Sequence, residues 1–224
     1  MYIIHNAPQA LSRKYAIECF NSFSGYRNWN PILFDGCNPN TLADYDKKYN
    51  ISNNRTNWPP RHHRHKSKKS CFYSHYELWT KSAETDSIIA IVEYDTICIG
   101  DLPDILEFKG ALQLSVESAA RLKLRKIYRN DYDRLMSKSN GIHKMDICKK
   151  VDKYTPLIAN MAYAITPDAA RILVDDCNQY GWYQNDDLIT TKYFDIEYLL
   201  PSVIEYDKTK ELGTSIDYSW GDNG

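Results

Sequence analysis

Apolar positions at the start of the chain come in short bursts with two different spacings. Tyr2 to His5 is a brief apolar run broken by Asn6-Ala7-Pro8, and from there Leu11, Tyr15, Cys19 and Phe20 recur at helical spacing, which predicts strand, loop, helix. Pro31 to Phe34 predicts a second strand closed by the turn signal Asp35-Gly36, and Thr41 to Lys48 a second helix. Ile51 to Lys69 is a polar stretch with Pro59-Pro60 and no period; a connection of that length is usually functional or disordered. Cys71 to Lys81 predicts a helix with Cys71, Ser74, His75, Leu78 and Trp79 on one face. Ile88 to Asp95 predicts a strand that is apolar until its end.

Ala111 to Val116 alternates as a further strand, and Ser118 to Met136 is charged and predicted helical. The apolar run Ile158 to Ile165 ends in Thr166-Pro167-Asp168, where Thr166 caps a helix whose first position is proline and which turns Ala169, Ala170, Leu173 and Val174 inward. Asp186 to Ile189 opens a short helical piece. Ile196 to Leu200 and Val203 to Tyr206 are late strands around Pro201.

Strands and helices that alternate in this way predict an α/β fold with a mainly parallel central sheet flanked by helices. With 224 residues, 43% of them hydrophobic and 25% charged, the chain has the profile of one globular domain spanning 1–224, with a basic loop at 51–69 and a tail expected to be mobile from 212. A formal net charge of -1 gives no overall pull towards nucleic acid or membrane, so any polyanion must be recognised by a local patch. The six cysteines show no CxxC or zinc-type pairing, which suits free, mostly buried thiols in a reducing compartment. The first residues lack the basic, apolar pattern of a signal peptide, and no window approaches the roughly 18 apolar residues of a membrane span. A cytoplasmic protein is expected.

The candidate chemistry begins where the strand IIAIVEYD ends. Glu93 and Asp95 stand two positions apart, so on an extended backbone both point to one side, and in open α/β sheets the ligand crevice lies outside the carboxyl ends of the strands. Two hard oxygen ligands suit Mg²⁺ or Mn²⁺, which would hold the phosphates of a nucleotide. Solvent-facing acids at a turn would read the same way.

The segment Cys71-Phe72-Tyr73-Ser74-His75-Tyr76-Glu77-Leu78-Trp79, followed after some ten residues by IIAIVEYD, resembles the paired signature of glycosyltransferase family 25, the lipooligosaccharide-type and collagen-type sugar transferases. In that family a C-x-x-SH-x-x-x-W helix precedes an apolar strand that ends in Glu-Asp-Asp. Asn6 and Arg13 after the first strand, the Phe34-Asp35-Gly36 turn, Met161 to Thr166 and Asp186-Asp187-Leu188 agree in order. The resemblance implies a GT-A fold, a Rossmann-like domain that binds a nucleotide-sugar, expected to be UDP-linked, as co-substrate. The outer members of the acidic triplet, Glu93 and Asp95, would be its metal ligands for Mn²⁺ or Mg²⁺. Tyr94 replaces the middle Asp, and Lys68-Lys69-Ser70 stands where the family has Gly-Glu.

Members of that family are classed as inverting, so the resemblance implies in-line attack of an acceptor hydroxyl on the anomeric carbon with a carboxylate taking the proton. Asp186 or Asp187 is the candidate base, and His75 a candidate for direct contact with phosphate or sugar. Asn6, Arg13, Asp35, Gly36, Ser74, Glu93 and Tyr94 are the expected donor contacts. Acids at a helix start are also favourable without any catalytic role.

Arg61 to Lys69 packs five permanent cations and three histidines into nine residues, and Arg121, Lys123, Arg125, Lys126 and Arg129 form a second cluster around Tyr128. A solvated loop would carry such charges too; as a polyanion contact, Arg61, Arg64 and Lys66 are expected to meet the donor diphosphate or a phosphate-bearing acceptor. That acceptor is either a surface glycan or a nucleic acid with hydroxylated bases, DNA included. The alternative from another class is a non-catalytic nucleic-acid-binding protein on a decayed transferase fold.

Overall fold

A computed structural model describes residues 1–53, 55, 65–104, 106–119, 129–146, 154–157 and 160–207. Seven strands form the main sheet: β1 (Tyr2–His5), β2 (Ile32–Asp35), β3 (Ile89–Glu93), β5 (Ala111–Gln113), β6 (Gly141–Lys144), β7 (Ala162–Ile165) and β8 (Ile196–Leu200). Their order is β2-β1-β3-β7-β5-β8-β6. The β1–β2, β1–β3 and β5–β8 pairs are parallel, while β7 runs against β3 and β5, and β6 against β8. Five strands therefore share one direction and the sheet is mostly parallel. A separate ribbon pairs β4 (Thr96–Cys98) with β9 (Ile204–Tyr206) in antiparallel fashion.

Side chains alternate between two cores. Ile89, Ile91, Tyr163, Ile165, Ile196 and Tyr198 face one cluster, and Ile3, Val92, Leu112, Ala162, Ala164 and Leu199 the other. The first core is covered by α3 (His65–Thr85) and α6 (Pro167–Tyr180), which pack along each other, and the second by α1 (Ala10–Ser22). Helix α2 (Leu42–Tyr49) leans on α3, and α4 (Val116–Ala119), α5 (Arg129–Met136) and α7 (Asn185–Leu188) are short. A strand buried on both faces has no polar side to alternate with, which is why Ile89 to Val92 is an unbroken apolar run.

Thr166 accepts a hydrogen bond from the Ala169 N–H at the start of α6, with Pro167 at the first position, and Ala169, Ala170 and Leu173 are buried as expected. At the other end of α6, Gly181 takes φ +96°, and a Cβ there would come within 2.5 Å of the Ser52 carbonyl oxygen. Glycine lets the chain turn at this point and hand its Trp182 N–H to that same oxygen at 3.1 Å.

Three expectations change. Helix α3 starts at His65, inside the stretch read as having no period, and its early residue Lys69, 4% exposed, pairs with the half-buried Asp46 at 2.6 Å. The strand at Ala111 stops at Gln113, and Val116 begins α4. Of the helix expected over 118–136, the described residues 118–119 and 129–136 are helical, and the stretch between them lies outside the described residues. Strand β3 stops at Glu93, and Tyr94 and Asp95 turn the chain into β4. The tail from 212 lies outside the described residues. Among those residues the cysteines Cys19, Cys37, Cys71, Cys98 and Cys177 are in no disulfide, and no helix is long and apolar enough to cross a membrane.

Candidate functional site

The carboxyl ends of β1, β2 and β3 lie side by side, with Ile4 in register with Glu93 and His5 with Asp35. Antiparallel β7 begins at the same edge, where the Glu93 N–H donates to the Met161 carbonyl at 2.7 Å. Helix α3, which leads into β3, brings its early turns back to this edge. Sulfur, nitrogen and oxygen donors of Cys71, His75 and Glu93 all lie within 4.8 Å of one another. Cys71 is exposed, His75 buried and Glu93 half-buried, so the group opens to the surface on one side.

The His75 ring is held from behind. Tyr163 Oη lies 2.8 Å from its Nδ1 and accepts a hydrogen bond from Trp79 Nε1 at 2.9 Å. Full burial pushes the Tyr163 hydroxyl well above its usual pKa, so it keeps its proton. With the tryptophan N–H already on the oxygen, that proton goes to His75 Nδ1, which places the imidazole's own proton on Nε2.

The short helix α7 docks beside Cys71. Asn185 Nδ2 reaches the Cys71 carbonyl at 3.4 Å and its Sγ at 3.6 Å, and Lys68 Nζ donates to Gln184 Oε1 at 2.5 Å. Four side chains of this edge carry buried polar atoms that take no hydrogen bond among the described residues: His5 Nδ1, Asn6 Oδ1, both amide atoms of Asn160, and Asn185 Oδ1. Asn160 is 5% exposed and immediately precedes the Met161 that pairs with Glu93. Such orphans are uncommon in folded proteins, and each calls for a partner from outside the chain, a water or a ligand.

Of the residues expected from sequence, Glu93 and His75 bring their donor atoms within 4.8 Å of each other. Asn6 and Asp35 adjoin them: the Asn6 N–H donates to Ser12 Oγ at 2.9 Å and Asp35 Oδ1 accepts from the Ala7 N–H at 2.9 Å. Gly36 passes under Ser74, where a Cβ would meet the serine Oγ at 2.6 Å, and the Ser74 hydroxyl donates to the Ser70 carbonyl at 3.0 Å. Ser74 thus supports the Gly36 turn from below. Burial raises the Tyr94 hydroxyl pKa, with the Asp95 and Glu93 charges adding to it and a hydrogen bond to Ser12 opposing. Asp95 is 8% exposed in the turn and stands outside the Cys71, His75, Glu93 group. Arg13 is exposed on α1, Asp187 exposed on α7 and Lys66 exposed in the first turn of α3. The Asp186 side chain, Arg61, Arg64 and most of the second basic cluster lie outside the described residues.

Sequence reasoning put Cys71 in the signature helix but gave it no role, and it missed Asn160 and Asn185. The spacing Cys71-x-x-x-His75 on a predicted helix was the available signal for the first, since residues four apart share a face. No sequence signal announces an amide left without partners. A groove of about 730 Å³ lined by Arg55, Asp176, Gln179, Tyr180, Lys192 and Tyr193 shares no residue with this edge; its Arg55 guanidinium is engaged by Asp176 and by Tyr193 Oη.

The sequence profile of Glycosyltransferase family 25 (LPS biosynthesis protein) matches residues 4–189. No curated protein matches the chain. The matched span takes in the Cys71–His75 helix, the Glu93 strand end and α7, which are the elements that assemble this edge, and the chain belongs to glycosyltransferase family 25.

Proposed function

We propose that the protein moves a sugar from a nucleotide-diphosphate sugar, UDP-linked in the first place, to a hydroxyl of a glycan acceptor, on a GT-A-type arrangement of the sheet. The observation that carries this reading is the collection of unpartnered buried polar atoms of His5, Asn6, Asn160 and Asn185 around Glu93. A ligand rich in hydroxyls and phosphate oxygens would satisfy them. The family's description as an LPS biosynthesis protein favours a glycan over a hydroxylated nucleic-acid base as acceptor.

In this proposal a carboxylate of α7, Asp186 or Asp187, takes the proton of the acceptor hydroxyl as it attacks the anomeric carbon from the face opposite the diphosphate, which inverts that centre. The contacts of Gln184 with Lys68 and of Asn185 with Cys71 hold α7 against α3, so the base is carried on an anchored element. Asn6, Arg13, Asp35 and Tyr94 border the nucleotide end. Lys66, with Arg61 and Arg64, is proposed to meet phosphate, and a cation at the positive end of α3 adds to the attraction for an anion there.

A Mn²⁺ or Mg²⁺ ion bound by Glu93 and Asp95 would neutralise charge on the departing diphosphate. The donor set at this edge does not fit an all-oxygen shell. Glu93 and Asp95 lie on a strand end and a turn, and the donors grouped with Glu93 are a thiol and an imidazole. No step is routed through such an ion.

The test is a thermal-shift screen with UDP, GDP, CDP and UDP-sugars, each in chelator and with Mn²⁺, on the wild type and on Asn160→Ala. A ligand that binds only the folded chain raises its melting temperature. One nucleotide should give a shift that Asn160→Ala diminishes. Absence of any shift, with or without Mn²⁺, would remove the proposal.

A further inference from the structure

Cys71 and His75 lie one helical turn apart on α3, and the end of β3 closes the group with Glu93. Two side chains four residues apart on a helix are a natural chelate, because both project over the same stretch of surface. We propose that Cys71, His75 and Glu93 form a site for a borderline divalent cation, zinc in the first place, with the fourth position open to the crevice.

The donor chemistry selects the ion. One sulfur, one imidazole nitrogen and one carboxylate oxygen are ligands that zinc accepts together, whereas Mg²⁺ and Ca²⁺ require oxygen. Zinc–ligand bonds of about 2.0–2.3 Å put tetrahedral ligands roughly 3.5 Å apart. The three donors already lie within 4.8 Å of one another, so closure needs shifts of side chains and leaves the helix and strand in place. Three protein ligands and one vacant position is the pattern of zinc sites that bind water or substrate.

Asn185 is the second, independent observation. It is 7% exposed, and its amide Nδ2 lies 3.6 Å from Cys71 Sγ. An N–H held on the sulfur stabilises a thiolate, and outer contacts of this kind tune metal-bound ligands. The other atom of the same amide, Oδ1, is buried and takes no hydrogen bond among the described residues. In the proposed site it would accept from a water on the open position.

His75 has the outer partner that ligating histidines have, Tyr163 Oη at Nδ1. Metal at Nε2 requires the ring proton to move from Nε2 to Nδ1, after which the tyrosine oxygen accepts both Nδ1–H and the Trp79 N–H. The ring stays neutral through this exchange, and the proton that leaves the protein is that of the Cys71 thiol. One hydrogen bond, from the tyrosine hydroxyl, is given up against three metal–ligand bonds.

This inference does not depend on the transferase reading, and its test reads no activity. Co²⁺, a coloured stand-in for zinc, is titrated into the metal-free full chain. The expected result is a thiolate-to-cobalt charge-transfer band in the near ultraviolet with strong visible bands of tetrahedral cobalt, saturating at one equivalent and erased by Zn²⁺. Cys71→Ser should abolish the charge-transfer band, and Glu93→Gln should weaken binding tenfold or more. Both residues are at least partly exposed, so both variants should fold, which near-ultraviolet circular dichroism checks. Only the weak spectrum of six-coordinate cobalt, or a charge-transfer band that survives in Cys71→Ser, would overturn the proposal. A nucleotide shift in chelator together with no cobalt–thiolate band would sink the metal site and keep the transferase.

Discussion

Tyr163 lays its ring parallel to that of His75, with centroids 5.8 Å apart and planes 4° from coplanar, and sets its hydroxyl 2.8 Å from the imidazole Nδ1. The two residues come from β7 and α3, so the contact ties the sheet to the helix that carries the site.

Removal of that hydroxyl leaves the Trp79 Nε1–H and His75 Nδ1 without their partner in a place where all three side chains are at most 1% exposed. Tyr163→Phe should cost about 2–4 kcal/mol, since each buried group left unsatisfied costs about 1–3 kcal/mol. Urea unfolding measures it. Trp79→Phe combined with Tyr163→Phe should cost less than the sum of the single changes, because the two share one hydrogen bond.

Gly36→Ala should destabilise by about 1–3 kcal/mol, as an added methyl in a packed place does. Its Cβ would stand 2.6 Å from Ser74 Oγ and 3.0 Å from Ile4 Cγ2. Ser74→Ala removes the nearer obstacle, so the same glycine change should cost less in that background. Equal costs in both backgrounds, by thermal or urea unfolding, would mean that Ser74 does not set the space at Gly36.

Burial lowers the His5 pKa below its ordinary 6.5; the Arg13 charge acts in the same direction and Asp35 opposes it. The unfolded chain therefore takes up a proton near pH 6.5 that the folded chain refuses until lower pH, and the contribution of His5 to stability is full above 6.5 and falls as pH drops through it. His5→Gln should flatten this part of the stability curve between neutral pH and about pH 5. Urea midpoints of both proteins across that range give the answer.

Alkylation should separate the described thiols. Burial pushes Cys37 and Cys98 up to about 11 and Cys177 up to about 12, so they offer almost no thiolate at neutral pH, while Cys71 is exposed. Brief treatment with iodoacetamide followed by peptide mass spectrometry should find Cys71 modified before those three. Prior addition of Zn²⁺ should slow that modification.

The sequence made the frame legible where local chemistry and packing agree. Thr166-Pro167 announced the start of α6 because a hydroxyl cap and a fixed φ are needed there whatever the tertiary context, and the apolar run before Glu93 announced a strand covered on both faces. Strand β6 escaped because Gly141 to Lys144 lies at the sheet edge, where only part of each side chain is covered and the apolar pattern fades. Strand β4 escaped because three residues are too few to show a period.

The site was legible in part for a related reason. A same-side reading of Glu93 and Asp95 assumes extended backbone through both, but the chain turns at Tyr94 and Asp95 so that β4 can reach β9. Spacing on a single element carried over, as with Cys71 and His75. Spacing across the end of an element is not fixed by the strand period, because the backbone turns there.

The position of β8 has a consequence for dividing the protein. The match to the family ends at residue 189, yet Ile196 to Leu200 enter the main sheet between β5 and β6, with Gly141 to Lys144 pairing against them and Ala111 to Gln113 alongside. A truncation at the end of the recognisable family segment would cut an inner rib from the sheet and leave both neighbours open-edged. The inherited signature and the smallest unit able to fold are different lengths of chain, and only the longer is a sensible unit to express, transplant or circularly permute.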